Sequence, residues 1–126
     1  MAYKTDYARV HGLGSAHEGV GHWWVQRLTS VALIPLTLLF LFPFARALGQ
    51  GHEAVLALYG NWWHALVAVA FLIVGFHHLM SGLQVVIEDY VPSKPLRTTL
   101  LVLNTLTNWA LGAAGVFAVA KIAFSA

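Results

Sequence analysis

Cysteine is absent from the 126-residue sequence, and charged side chains are scarce. Without a thiol, the chain cannot form disulfides, use a thiolate nucleophile or hold an iron–sulfur cluster with cysteines of its own. Charged residues make up 10% of the sequence, whereas an ordinary soluble domain holds about 25%. Hydrophobic residues make up 59%, and the mean hydropathy is +0.70. The sequence therefore predicts a protein that lies in a lipid bilayer.

Several function classes lack their signatures here. There is no glycine-rich phosphate loop, metal-binding triad or nucleophile motif, so we expect no chemistry on a soluble substrate in this chain. The formal net charge of +2 is too small for the basic surface that nucleic-acid binding requires. The pattern Ala45-Arg46-Ala47 fits a signal-peptidase site, but signal peptides have short basic leaders and here the apolar run begins only after Arg27. We therefore expect no cleavage.

Three stretches contain no Asp, Glu, Lys or Arg, namely 28–45, 54–87 and 98–120. A transmembrane helix needs roughly 20 apolar residues, so the first and third give one span each. The middle stretch is longer than one span needs, and Gly60-Asn61 followed by two tryptophans marks a natural start. The prediction is an all-α membrane protein with a single membrane-anchor domain at 1–126, comprising a polar N-terminal arm (1–22) and transmembrane helices at about 28–48, 62–87 and 98–122, joined by short loops.

Basic residues predict the orientation of these spans, because Lys and Arg concentrate on the cytoplasmic side. The N-terminal segment and the second loop together hold five, namely Lys4, Arg9, Arg27, Lys94 and Arg97. The other side holds only Arg46 and Lys121. We expect the N-terminus in the cytoplasm and the C-terminus outside.

Two adjacent histidines, His77 and His78, lie well inside the second predicted span, where an imidazole is costly unless something binds it. Gly75, His78 and Gly82 share one helix face, while His77 points about 100° away. The recess between the glycines would suit a b-type haem with His78 as axial ligand. His64 lies near the far interface, so another chain would supply the second ligand. Two alternatives stay open for His78, a hydrogen bond between helices or a proton or ion path.

Three further residues lie at the ends of spans. Asp89 and Tyr90 follow the second span, where a phenol is usually an interfacial anchor. The alternative is that Tyr90 donates a hydrogen bond to a quinone carbonyl and that Asp89 orients groups or relays protons. Arg27 opens the first span, either as an orientation-setting charge or as the partner of an anionic group such as a haem propionate.

Two segments carry a family resemblance, HWWVQRLTS at 22–30 and HHLMSGLQVVIEDYV at 77–91. Over nearly its whole length the chain resembles the hydrophobic membrane anchor proteins of bacterial succinate dehydrogenase, or respiratory complex II. The second segment is the specific one. In the family a second-helix histidine is followed by a glycine, then Gln-Val and then Asp-Tyr, and His78, Gly82, Gln84-Val85 and Asp89-Tyr90 reproduce that order.

The resemblance implies a role for each matching residue. It implies that His78 is an axial ligand of a haem b shared with the cytochrome b556 subunit. Tyr90 would bind ubiquinone with Asp89 beside it, and Arg27 would lie near the haem propionates. His77 is a second candidate for the ligand, because a register shift of one residue would put it in that position.

The resemblance also implies the function of the whole assembly. The chain would be a multi-pass membrane anchor of succinate:ubiquinone oxidoreductase in the bacterial inner membrane. A flavoprotein subunit and an iron–sulfur subunit would oxidise succinate and pass electrons to a quinone pocket near the cytoplasmic side. A fumarate reductase anchor that works with menaquinone is the nearest alternative. A haem-free assembly or transport protein is the alternative from another class.

Overall fold

The computed structural model describes residues 5–12 and 19–125, which form five helices and, within those ranges, no strand. The helices are α1 (Asp6–His11), α2 (Val20–Leu48), α3 (His52–Gly60), α4 (Trp62–Tyr90) and α5 (Lys94–Ser125). The predicted all-α fold class is therefore confirmed.

Three of these helices, α2, α4 and α5, are long and apolar enough to cross a membrane. They contain 29, 29 and 32 residues, and their most apolar windows have mean hydropathies of 2.1, 2.0 and 1.4. At a rise of about 1.5 Å per residue, each is longer than a hydrocarbon layer of roughly 30 Å. Their apolar side chains are mostly exposed, as expected where lipid is the solvent.

The start of α4 follows directly from its sequence. The side chain of Asn61 accepts a hydrogen bond from the backbone N–H of Trp63 at 2.9 Å, which satisfies one of the free donors at the helix end. The helix therefore begins at Trp62, the residue at which the predicted span starts. Trp62 and Trp63 are both exposed, as interfacial tryptophans are.

The chain is helical in places where the sequence was expected to form an arm or a loop. Within the expected arm at 1–22, α1 covers Asp6–His11 and α2 already begins at Val20, while residues 1–4 and 13–18 lie outside the described part. Between the first two spans the structure adds α3. This nine-residue helix forms because its apolar side chains have a surface to pack on, which its own sequence does not reveal.

The packing of α3 centres on Tyr59, which is only 6% exposed. Tyr59 forms a buried cluster with Ala65, Ala68 and Val119, and its ring lies 6.5 Å from that of Phe44. Burial raises the pKa of the Tyr59 phenol above its ordinary value. The helix α3 therefore closes one end of the bundle.

Helix α4 is central and antiparallel to both of its long neighbours. On one side the ring of Phe71 stacks on that of Phe40 of α2, with centroids 4.4 Å apart. On the other side two glycines of α5 face α4, and the approach is tight at one of them, Gly115. A Cβ atom on Gly112 would lie 3.5 Å from Phe76, and one on Gly115 would lie 3.2 Å from Leu72. Close approach at small residues is the usual way in which helices pack in membranes.

Candidate functional site

The side chain of His78 faces α2 and is half-buried between the two helices. Its Nδ1 atom lies 2.9 Å from the hydroxyl oxygen of Thr29, and its Nε2 atom lies 3.4 Å from the amide nitrogen of Gln26. Two side chains of the first span therefore contact both nitrogens of the imidazole. Neither of them is among the site residues that the sequence predicts.

The hydrogen bonds of Thr29 decide which imidazole nitrogen carries the proton. The Thr29 hydroxyl oxygen lies 2.8 Å from the carbonyl oxygen of Val25 and 3.1 Å from that of Gln26. Carbonyl oxygens only accept hydrogen bonds, so the single hydroxyl proton of Thr29 points to them. The hydroxyl oxygen then accepts the Nδ1–H of His78. In this tautomer Nε2 carries no proton, and its lone pair accepts from the amide nitrogen of Gln26.

Gln26 lies in front of that lone pair. Its amide nitrogen faces His78 Nε2, and its carbonyl oxygen Oε1 is buried without a hydrogen-bond partner among the described residues. A Cβ atom on Gly82 would lie 3.4 Å from the same amide nitrogen. Gly82 therefore makes room beside His78, and Gln26 lies in the recess that the glycine spacing predicted.

The donor chemistry at His78 fits an axial ligand of a haem. Histidines that bind metals commonly donate their second N–H to a nearby oxygen, which fixes the ring and raises the basicity of the ligating nitrogen. Thr29 provides such an oxygen. Among the described residues the carbonyl oxygen of Gln26 has no hydrogen-bond partner, so this side chain is incompletely satisfied where it lies.

No group of three or more His, Cys, Asp or Glu side chains that could hold a metal ion occurs within residues 5–12 and 19–125. A bare metal ion would find too few ligands in this part of the chain. A haem differs, because its macrocycle supplies four ligands and needs only axial ones from the protein. One histidine from this chain is then sufficient if another chain provides the second.

His77 points to the opposite side of α4. It lines a cavity of about 270 Å³ between α4 and α5, together with Met80, Asn108 and Trp109. The imidazole of His77 is exposed and makes no hydrogen bond to the described residues. Unlike His78, it therefore has no neighbour that fixes its tautomer or ring orientation.

Two asparagines of α5 lie next to this cavity, and one of them bonds to α4. The side chain of Asn104 donates to the backbone carbonyl of Met80 at 2.9 Å. Asn108 in turn donates to the backbone oxygen and the side-chain oxygen of Asn104, at 2.9 and 2.8 Å. Both asparagines are buried. The bond from Asn104 to Met80 is a link between helices of the kind that stabilises membrane proteins.

Asp89 and Tyr90 are the last two residues of α4. Tyr90 is 80% exposed, and neither side chain forms a hydrogen bond in the described part of the chain. Twelve residues separate Tyr90 from His78, which corresponds to roughly 18 Å along the helix. The structure therefore places both residues beyond the bundle, where their side chains are accessible to a ligand or to another subunit.

Arg27 is exposed on α2, and its guanidinium carbon lies 5.4 Å from the centroid of the Trp23 ring. No hydrogen bond or ion pair joins Arg27 to His78, Asp89 or Tyr90 within the described residues. Asp89 and Tyr90 are neighbours in sequence at the end of α4, and Arg27 lies on another helix. A cation–π contact of this kind holds an arginine at the membrane surface.

One feature of the sequence could have indicated Gln26 and Thr29 as residues that contact another helix. They are polar residues three positions apart inside the HWWVQRLTS segment, so they lie on the same face at the start of an otherwise apolar span. Polar side chains on one face of a transmembrane helix indicate a face turned toward protein rather than lipid. That signal predicts a contact but not the histidine that is contacted.

Three antiparallel apolar helices with a hydrogen-bonded histidine between the first two define a multi-pass α-helical membrane protein. The chain belongs to the succinate dehydrogenase/fumarate reductase transmembrane subunit family, whose model matches residues 1–120. The resemblance carried by the two sequence segments is thereby confirmed.

Individual relatives agree with the family match. The succinate dehydrogenase hydrophobic membrane anchor subunit of Paracoccus denitrificans is 38% identical over 126 residues, which cover 100% of this chain and 97% of the relative. The corresponding subunit of Rickettsia bellii is 33% identical over 103 residues, which cover 79% of this chain and 80% of the relative. The succinate dehydrogenase membrane anchor subunit of Reclinomonas americana is 30% identical over 82 residues, which cover 63% of this chain and 68% of the relative. No solved structure matches the chain.

Proposed function

We propose that this chain, as a succinate dehydrogenase membrane anchor subunit, shares a haem b with a cytochrome b556 subunit and forms part of a ubiquinone-binding site. The observation that carries the proposal is the bond between Thr29 and His78, which leaves an unprotonated imidazole nitrogen half-buried between α2 and α4. The carbonyl oxygen of Gln26, which is buried without a hydrogen-bond partner among the described residues, supports a further group at this position.

In this proposal His78 would hold the haem iron through one imidazole nitrogen, and the cytochrome b556 subunit would provide a second ligand. Thr29 holds the imidazole in the ligating tautomer, and Gln26 turns away from Nε2. A bound haem b would supply reversible one-electron chemistry at its iron. Arg27 lies on the outer face of the same helix turn and would contribute positive charge near the propionates.

The proposed quinone contact is at the end of α4. Reduction of a quinone consumes two protons, so its site needs donors and acids near water. Tyr90 provides an accessible phenol that can donate to a quinone carbonyl, and Asp89 provides the adjacent acid. Both side chains lie at the same end of the bundle as the start of α2 and the start of α5, because neighbouring long helices are antiparallel.

The proposed orientation places that end in the cytoplasm of a bacterial cell, with the C-terminus in the periplasm. The basic residues support this choice, since Arg27, Lys94 and Arg97 all lie at this end of the spans. Flavoprotein and iron–sulfur subunits would dock on the cytoplasmic face. They are needed because a chain without cysteine cannot hold iron–sulfur clusters with its own thiolates.

A fumarate reductase anchor is the second candidate, because the family model covers both kinds of transmembrane subunit. The two differ in the direction of electron flow and in the quinone used. The relatives named above are all succinate dehydrogenase subunits, and this favours the first candidate.

The test is purification of the complex through a tag on this chain in mild detergent. We expect a second membrane subunit, a flavoprotein and an iron–sulfur protein to co-purify, with succinate-dependent reduction of a ubiquinone analogue and the visible spectrum of a b-type haem. Faster fumarate reduction by a menaquinol analogue would favour fumarate reductase. An intact chain without these partners, activity or haem would contradict the proposal and favour a haem-free assembly or transport protein.

A further inference from the structure

A second cavity lies at the other end of the bundle, where α2, α3 and α4 meet. Its volume is about 440 Å³, within the range of about 300–1,000 Å³ typical of small-molecule sites. The lining residues include three polar side chains and three apolar ones that could contact a ligand. The polar ones are Arg46, Gln50 and His64, and the apolar ones are Phe42, Pro43 and Leu58.

The level of this cavity in the membrane follows from the spacing of two arginines on α2. Arg27 and Arg46 enclose the apolar stretch 28–45 and are separated by roughly 28 Å of helix at 1.5 Å per residue. That length matches a hydrocarbon layer of roughly 30 Å. Arg46 therefore lies at the level of the lipid phosphates on the side opposite Arg27, and the exposed indoles of Trp62 and Trp63 begin α4 nearby.

The polar side chains of the cavity have no hydrogen-bond or ion-pair partner among the described residues. Arg46 forms no ion pair, and neither Gln50 nor His64 forms a side-chain hydrogen bond, among the residues that the structure describes. Arg46 is also one of only two basic residues on the side of the membrane that is poor in positive charge. A guanidinium offers a planar set of donors that matches phosphate oxygens.

The apolar part of the cavity continues toward the lipid. Phe42 lies one helical turn before Arg46 and is 65% exposed, so it faces the hydrocarbon directly below the arginine. Leu58 of α3 is half-buried on the opposite wall. A positive headgroup site above an apolar groove is complementary to a molecule with an anionic head and a hydrocarbon tail.

We propose that this cavity binds an anionic phospholipid of the leaflet opposite the Arg27 side. Arg46 donates to the phosphate oxygens, Gln50 and His64 donate to the remaining headgroup oxygens, and one acyl chain packs along Phe42. The lipid thereby joins α3 to α2 and α4. This site is independent of His78, so it stands whether or not the chain binds a haem.

The test is native mass spectrometry of the purified complex that contains this chain, after stripping of lipid and titration with phosphatidylglycerol. Arg46→Gln removes the charge, and Lys121→Gln is the matched control, because Lys121 is basic and exposed on the same side but does not line the cavity. We expect Arg46→Gln to weaken binding of one phosphatidylglycerol per copy of this chain by at least tenfold. We expect Lys121→Gln and wild type to bind alike, and phosphatidylcholine to bind at least tenfold more weakly than phosphatidylglycerol.

Equal binding of phosphatidylglycerol by Arg46→Gln and wild type would overturn the proposal, as would equal binding of the two lipids by wild type. Complete displacement of the lipid by millimolar inorganic phosphate would show a site for free phosphate and would also overturn it. If Arg46→Gln instead released another subunit with lipid binding unchanged, the cavity would be a subunit contact and the proposal would fail.

Discussion

The hydroxyl oxygen of Thr29 and the Nδ1 atom of His78 lie 2.9 Å apart across the contact between α2 and α4. The same hydroxyl donates to the carbonyl oxygen of Val25 within its own helix. The start of the first span therefore orients the imidazole of a histidine in the second span. The tautomer that this arrangement favours places the lone pair on Nε2, where Gln26 lies, and the proposed haem ligation depends on that nitrogen.

Replacement of Thr29 by valine removes the oxygen that accepts from Nδ1 while keeping the volume of the side chain. Loss of such a partner typically lowers metal affinity by about 10- to 100-fold, so we expect haem to leave Thr29→Val faster than wild type by a factor in that range. The measurement is the rate of haem transfer to a globin scavenger. Thr29→Ser keeps the hydroxyl and should behave like wild type. Equal rates for all three proteins would show that Thr29 does not support the ligand.

Replacement of Tyr90 by phenylalanine removes only the phenol oxygen. Since Tyr90 is 80% exposed, we expect normal assembly but a loss of succinate-dependent quinone reduction on the order of tenfold or more, the size expected when one functional hydrogen bond is lost. The assay is steady-state reduction of a ubiquinone analogue by the purified complex. Tyr59→Phe, on the buried face of α3, should leave the rate unchanged. Undiminished activity of Tyr90→Phe in a fully assembled complex would rule out the hydrogen bond to quinone.

The three spans could be predicted because their signal is local. Each is an apolar run bounded by charges, and the start at Trp62 follows from Gly60 and Asn61. The helix α3 could not be predicted in the same way. Its nine residues are too few for a stable isolated helix, and its stability depends on packing of Tyr59 against α2, α4 and α5.

The contacts of the candidate site, like those of α3, could not be predicted from local sequence. The spacing of Gly75, His78 and Gly82 correctly indicated one small-residue face, but not the helix that covers it. Gln26 and Thr29 lie 52 and 49 residues from His78 in sequence, so only the fold brings them to it. The roles of His78, Tyr90, Asp89 and Arg27 stay predictions, because they depend on groups from outside this chain.

The hydrogen bond from Asn104 to the carbonyl of Met80 links α5 to α4. Bonds of this kind contribute about 0.6 kcal/mol on average in a membrane protein, and at most about 1.7 kcal/mol. We expect Asn104→Leu to lose stability in that range and also to leave Asn108 without its side-chain partner. Thr105→Val is the control, because Thr105 is exposed and bonds only to its own helix. The measurement is the thermal inactivation midpoint in detergent, and equal midpoints for the two variants would contradict the link.

Gly115 allows α5 to approach α4. A Cβ atom there would lie 3.2 Å from Leu72, whose side chain can shift by a few tenths of an ångström. We therefore expect Gly115→Ala to be tolerated and Gly115→Val, which adds two more methyl groups, to destabilise by about 1–3 kcal/mol through overpacking. Gly21→Ala is the control, since a Cβ atom there meets nothing within 4 Å. Thermal midpoints of Gly115→Val and wild type that coincide would show that the helices are not in close contact.

The central claim is that His78, and not its neighbour His77, provides an axial ligand. The most direct test is the reduced-minus-oxidised visible spectrum of the purified complex for wild type, His78→Ala and His77→Ala. We predict that the b-type haem signal is lost or strongly altered in His78→Ala. In His77→Ala the signal should keep the position and amplitude of the wild type, because His77 faces the cavity between α4 and α5. A signal that survives in His78→Ala and is lost in His77→Ala would contradict the account and assign the ligand to the other face of α4.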